Sequence, residues 1–127
     1  VRLLLDTNAV LWWLAEHPKL GSAARRQIEE LDTMVYISAV SAAEIGIKKS
    51  IGKLRAPDDF EEQIAADGFT ALPITLRHCL AVGELPLLHR DPFDRLLVAQ
   101  ARCEGLTLVT ADRKLTKYDV PTLDAER

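Results

Sequence analysis

The sequence predicts an α/β protein, a three-layer α/β/α sandwich around a mainly parallel sheet, and three observations lead there. Short apolar runs recur along the chain, each followed by a segment of helical period, which is the pattern of βα units and not of hairpins. The first two runs, one apolar and one partly β-branched and aromatic, read as buried strands, and strands alternating with helices imply a parallel sheet covered on both faces. The length, 127 residues, suits one domain with one central sheet and leaves no room for a second core.

The elements follow in order. Residues 1–5 (Val-Arg-Leu-Leu-Leu) form a buried strand that meets polar Asp6-Thr7-Asn8 at its carboxyl end. Residues 9–16 are helical, closed by His17-Pro18, because proline disfavours helix in the residue before it. Gly21-Ser22 opens a second helix over 23–31, with Ser22 as the expected N-cap. Residues 34–40, partly β-branched and aromatic, are a second buried strand, and Ser41-Ala-Ala-Glu44 looks like a capping box that opens a helix to about residue 50. Gly52 and Pro57 mark a linker into a helix over 58–66, ended by Asp67-Gly68. A third strand is expected over 69–74, a helix over 75–83 and a loop at Leu85-Pro86-Leu87. The longest amphipathic helix covers 91–104 and stops at Gly105. A fourth strand (106–110), a short helix (111–118) and a terminal edge strand (120–123) complete the chain, which is read as one domain over 1–127.

Composition excludes several classes. With 48% hydrophobic and 28% charged residues the chain is neither disordered nor fibrous. A formal charge of −3 supplies no global field for nucleic acid, so any attraction for phosphate has to be local or carried by bound cations. Cys79 and Cys103 belong to no zinc or redox spacing and are expected to be plain thiols. No apolar run approaches the roughly eighteen residues of a membrane span, and no signal peptide precedes the first strand, so a cytoplasmic protein is expected. Val1 is read as standing where an initiator methionine was lost or recoded, with little structure upstream.

Chemistry is expected outside the carboxyl ends of the strands, where open parallel sheets bind ligands. Asp6 ends the first strand, and Asp112 follows the fourth. Glu44 is placed in the first turn of the helix after the second strand, and Asp94 in the first turn of the long helix. Strand polarity therefore gathers four acids on one edge. Each also has an ordinary reading as a helix cap or dipole partner, Asp91-Pro-Phe-Asp94 above all. Together, four clustered carboxylates repel one another unless a cation compensates. The all-oxygen donor set suits Mg2+ or Mn2+ and not zinc. No Ser/His/Asp or Cys/His arrangement competes. His17 is expected to be exposed and His78 packed or solvated, while His89, two residues before Asp91, is kept as a neighbour of the site. Trp12 and Trp13 are read as core or partner-binding residues ahead of a base-stacking role.

Four ordered blocks resemble the PIN-domain family, particularly the VapC-type toxins of bacterial toxin–antitoxin pairs. They are Leu-Leu-Leu-Asp6-Thr-Asn, Ser41-Ala-Ala-Glu44-Ile, Asp91-Pro-Phe-Asp94-Arg-Leu-Leu-Val-Ala-Gln-Ala and Leu-Val-Thr-Ala-Asp112-Arg-Lys-Leu, and they span nearly the whole chain. The resemblance implies metal binding by Asp6, Asp94 and Asp112, with Glu44 assisting through water. It also implies endoribonuclease activity, a homodimer, and inhibition by an antitoxin, for which the apolar first helices offer a groove. The phase of Asp94-Arg-Leu-Leu-Val-Ala matches the family's acid to Asp94 and leaves Asp91 as a cap or an auxiliary ligand. A catalytically degenerate module that only binds RNA or protein is the competing reading. An aspartate-nucleophile phosphatase fits poorly because position 8 is Asn, and a phospho-receiver because residues 48–55 offer no acceptor aspartate.

Overall fold

The computed structural model describes residues 1–127. Five parallel strands, β1 (Arg2–Leu5), β2 (Met34–Ser38), β3 (Thr70–Leu72), β4 (Thr107–Thr110) and β5 (Thr122–Asp124), form one sheet in the order β3-β2-β1-β4-β5. Six helices connect them: α1 (Thr7–Leu14), α2 (Ser22–Glu29), α3 (Ala39–Ser50), α4 (Phe60–Ala66), α5 (Leu76–Ala81) and α6 (Pro92–Glu104). The expected sandwich is what forms.

Alternation along β1 explains the layers. Leu3 and Leu5 point into a cluster with Val10 of α1, Ala24 and Ile28 of α2 and Ile64 of α4. Leu4 points the other way, onto Val40 of α3, Leu97 and Val98 of α6, and Leu115. All three leucines are fully buried, and each contributes about 1.5–3 kcal/mol of transfer free energy. No helix is long and apolar enough to cross a membrane.

Several boundaries move, for local reasons. The second strand stops at Ser38, whose hydroxyl accepts the Val40 amide and makes it the N-cap of α3. The expected Ser41/Glu44 capping box does not form, and Glu44 lies in the second turn, not the first. Gly21, not Ser22, is the N-cap of α2. The helix expected over 75–83 is α5, capped by Thr75 and followed by a 3-10 turn at Val82–Glu84, and the one expected over 111–118 is a 3-10 turn at Arg113–Lys117. The edge strand is shifted to Thr122–Asp124. His17 is half-buried, stacked 6.1 Å from Trp12, where exposure was expected. Both tryptophans pack against the core, and the Trp13 indole donates to Asp67 at 2.9 Å.

Gly21 is required for space, since its backbone is ordinary extended chain. The Gly21 amide donates to the Ala125 carbonyl at 2.9 Å, and the Ala23 amide to that of Arg127 at 3.0 Å, so residues 125–127 press on the start of α2. A Cβ at Gly21 would lie 2.0 Å from the Arg127 carbonyl carbon, a backbone atom and not the far end of a flexible side chain. Gly21→Ala is expected to cost about 1–3 kcal/mol and lower the melting temperature by several degrees. An unchanged thermal unfolding curve would show that this segment does not pack as described.

Candidate metal centre

The chain runs from β1 to β2 and β3 on one side, then returns to place β4 and β5 on the other. The switch falls between β1 and β4, and a crevice opens beyond their carboxyl ends. Asp6 leaves β1 there, its amide held by the Val109 carbonyl of β4 at 3.0 Å. Asp112 lies two residues past β4, its amide on the Thr110 hydroxyl at 3.0 Å. A cavity of about 160 Å³ is lined by Asp6, Glu44, Asp91, Asp94 and Asp112, together with Lys48. All four acids picked from the sequence therefore meet, and Asp91 joins them.

The ordinary capping roles are also real. Asp6 Oδ1 accepts the Ala9 amide at 2.8 Å and starts α1. Asp91 Oδ1 accepts the amides of Phe93 and Asp94 at 2.8 and 3.2 Å, ahead of Pro92 at the first position of α6. Asp112 Oδ1 accepts the Lys114 amide at 2.9 Å. Each cap uses only one carboxylate oxygen, so the same residues can serve a second partner.

Their energetics separate them. Asp94 lies in the first turn of α6, where the helix dipole favours its charge by about 0.3–1 kcal/mol, less than one decade in proton affinity. Its pKa nevertheless rises from 3.8 to about 7, because burial and the charges of Asp91, Asp6 and Glu44 outweigh the dipole and nearby His89. Asp6 rises from 3.8 to about 6, chiefly through burial, with the Thr110 hydroxyl and the Ala9 amide opposing. Asp112 is partly desolvated too, but the hydrogen bonds from His89 and the Lys114 amide, with the Lys114 charge, hold its pKa below the usual value.

Glu44 is handled differently. The Thr7 hydroxyl donates to its Oε1 at 2.6 Å, and Ser41 Oγ lies 3.0 Å from the same hydroxyl. Lys48, one turn further along α3, pairs with Oε2, and its pKa is raised chiefly by that hydrogen bond. Ser41, Glu44 and Lys48 thus occupy one helix face, and the spacing mistaken for a capping box aims the face at α1.

His89 was only a sequence neighbour, yet its Nε2 lies 2.7 Å from Asp112 Oδ2 and 3.4 Å from Asp94 Oδ2. Thr7, Lys48 and Tyr118 are further neighbours that were not singled out. The Ser41–Glu44–Lys48 periodicity was the available signal for Lys48; nothing marked Tyr118. His78 is buried on α5, bridging Glu104 and Gln100 away from this cavity. Cys79 and Cys103 are free thiols.

Carboxylates that are desolvated and also repel one another are the donor set a hard cation fits. Asp6, Asp94 and Asp112 line the cavity, and one oxygen each of Asp94 and Asp112 lies within 4.8 Å of the other and of a His89 ring nitrogen; a cation there would offset the repulsion among the acids.

The family model for the PIN domain matches residues 3–121, and the chain belongs to the PIN-domain family. A curated relative, Ribonuclease VapC22 of Mycobacterium tuberculosis, is 32% identical over 127 residues, covering 94% of this chain and 93% of its own. Among solved structures, VapBC2 from Rickettsia felis bound to a promoter DNA fragment superposes with a TM-score of 0.73 at 18% identity, over 97% of this chain and 98% of that one. FitAcB from Neisseria gonorrhoeae gives 0.67 at 21% identity, covering 97% of both chains. At such identities the structures establish the shared fold.

Proposed function

We propose that the chain is a divalent-metal-dependent endoribonuclease that cleaves RNA phosphodiester bonds and serves as the toxin of a toxin–antitoxin pair. The observation that carries the reading is the single cavity in which Asp6, Asp94 and Asp112 converge with Glu44. Asp6, Asp94 and Asp112 would hold the metal, Mg2+ or Mn2+, and Glu44 would act through water. When bound, such an ion neutralises charge on the phosphate and acidifies water for attack.

The chain's own groups supply the rest. Thr7 and Ser41 fix the Glu44 carboxylate, leaving its second oxygen to Lys48. The Lys48 ammonium balances part of the acidic field and stands at the cavity wall, where a phosphate can meet it. Arg90, Arg113 and Lys114 adjoin the site acids in sequence, and Lys53 and Arg55 follow Lys48 beyond α3; these local cations answer the absence of a global positive field.

Such a toxin needs an antitoxin and, as the resemblance implies, a second copy of itself. An apolar groove of about 610 Å³ lies between α3, α4 and the β2/β3 edge, not along the first helices, and Phe60, Ile64 and Phe69 line it. It is the proposed seat of the antitoxin. Leu76 and Leu80, one turn apart on α5, are 83% and 77% exposed and offer an apolar face for a homodimer. On this reading the protein works in the cytoplasm, beside its RNA substrate.

A degenerate binding module would gain nothing from keeping these acids buried and close. The test is cleavage of a labelled total-RNA preparation by purified protein after chelation and Mg2+ or Mn2+ add-back. Wild type is expected to cut only with metal, and the Asp6→Asn/Asp94→Asn double variant not at all while remaining folded. Undiminished cutting by the double variant would refute the reading.

A further inference from the structure

His89 looks like a metal ligand. Its Nε2 and carboxylate oxygens of Asp94 and Asp112 all lie within 4.8 Å of one another, the spread of a coordination sphere. Its other contacts say otherwise. The Asp91 amide donates to Nδ1 at 3.0 Å, which occupies the lone pair on that nitrogen. In the neutral ring the proton then sits on Nε2, where it points at Asp112 Oδ2. Neither nitrogen has an electron pair left to offer a cation.

The ring is also held in place. It is largely buried, and its backbone amide donates to the Tyr118 hydroxyl at 3.0 Å, as the Leu88 amide does at 3.3 Å. Tyr118 is itself buried, directly after the 3-10 turn that Asp112 caps. His89 therefore ties the segment before α6 to the segment after β4 from both ends. The carboxylate it grips most needs a tether, since the Asp112 side chain is 37% exposed against 21% for Asp94.

We propose that His89 is a positioning residue: an Nε2–H donor that orients the Asp112 carboxylate toward the cation, and not itself a ligand. This rests on the reading of Asp6, Asp94 and Asp112 as a cation site. Outer groups that orient ligands commonly set affinity by about 10- to 100-fold.

The test uses Mn2+ binding and spectroscopy, not cleavage. In the metal-free wild type, long-range 1H–15N NMR is expected to show His89 with a protonated Nε2 and a bare Nδ1. In the Mn2+-loaded wild type, electron spin echo spectra are expected to show no directly coordinated nitrogen. His89→Ala is expected to weaken Mn2+ binding about 10- to 100-fold, and His89→Gln, whose amide can donate from near the Nε2 position, to recover part of the loss. A protonated Nδ1, a nitrogen bonded to Mn2+, or a folded His89→Ala variant that binds as tightly as wild type would each overturn the proposal. If His89→Ala does not fold, the two wild-type spectra still decide. A wild type that binds no Mn2+ would instead overturn the underlying cation site, and the role of His89 with it.

Discussion

Asp94→Asn is expected to abolish metal-dependent RNA cleavage and, at the same time, to raise the melting temperature of the metal-free protein. The loss follows because one carboxylate of the proposed ligand set disappears. Metal stabilisation of the transition state contributes several kcal/mol, and each 1.36 kcal/mol is tenfold in rate, so a fall of about 10³-fold or more is expected. The gain follows from the same geometry. Asp94 is buried beside Asp91, Asp6 and Glu44, and its pKa is lifted to about 7. Ionising it above that pH costs the native state, and the neutral amide of the same shape avoids that cost. A rise of several degrees at pH 8 in chelator is the expected result. Cleavage kept within about threefold of wild type, or a lower melting temperature, would mean that Asp94 is simply a helix-start acid.

The second large effect is on pH dependence. Asp6 and Asp94, raised to about 6 and about 7, keep protons in the native state that the unfolded chain releases near its ordinary 3.8. The native state binds more protons across that interval, so stability falls as pH rises from about 4 to about 7 and stays low above it. For Asp6 alone the raised pKa corresponds to about 3 kcal/mol; the acids share one field, so their joint effect is smaller than the sum. Asp112 has the opposite sign, but its lowered pKa puts its loss below 3.8, outside this window. In chelator, the difference in melting temperature between Asp6→Asn/Asp94→Asn and wild type should therefore widen from pH 5 to pH 8. Mg2+ should stabilise the wild type more at pH 8 than at pH 5. A difference independent of pH would contradict the burial and repulsion described.

Much of this was legible because strand polarity is decided by short-range pattern. Once Leu3-Leu4-Leu5 and Leu108-Val109 are read as strands, the acids after them must emerge at one edge, and Asp6 and Asp112 do. Asp91-Pro92 announces the start of α6 just as clearly, since proline at the first position and a capping acid are local chemistry. Glu44 was placed in the right cavity through a wrong detail. Ser38 and Ser41 are both credible caps, and what decides between them is tertiary: Ser38 bonds Gln100 of α6, and Ser41 is turned toward Thr7. His89 was legible as a neighbour of the site, two residues before Asp91, but its contact with Asp112 was not. Its partner Asp112 is 23 positions away, and the two segments meet through tertiary contacts that include the Tyr118 hydroxyl. Gln100 taught the same lesson on the buried face of α6, where it joins Ser38, Pro73 and His78.

The central claim is that these acids are the seat of a cation. Its most direct test is an anomalous difference map from crystals of the protein soaked in Mn2+. A peak is expected in contact with carboxylate oxygens of Asp6, Asp94 and Asp112, and no such peak in Asp94→Asn crystals treated alike. An empty cavity in the wild type, or a peak on His89 with the carboxylates turned away, would contradict it.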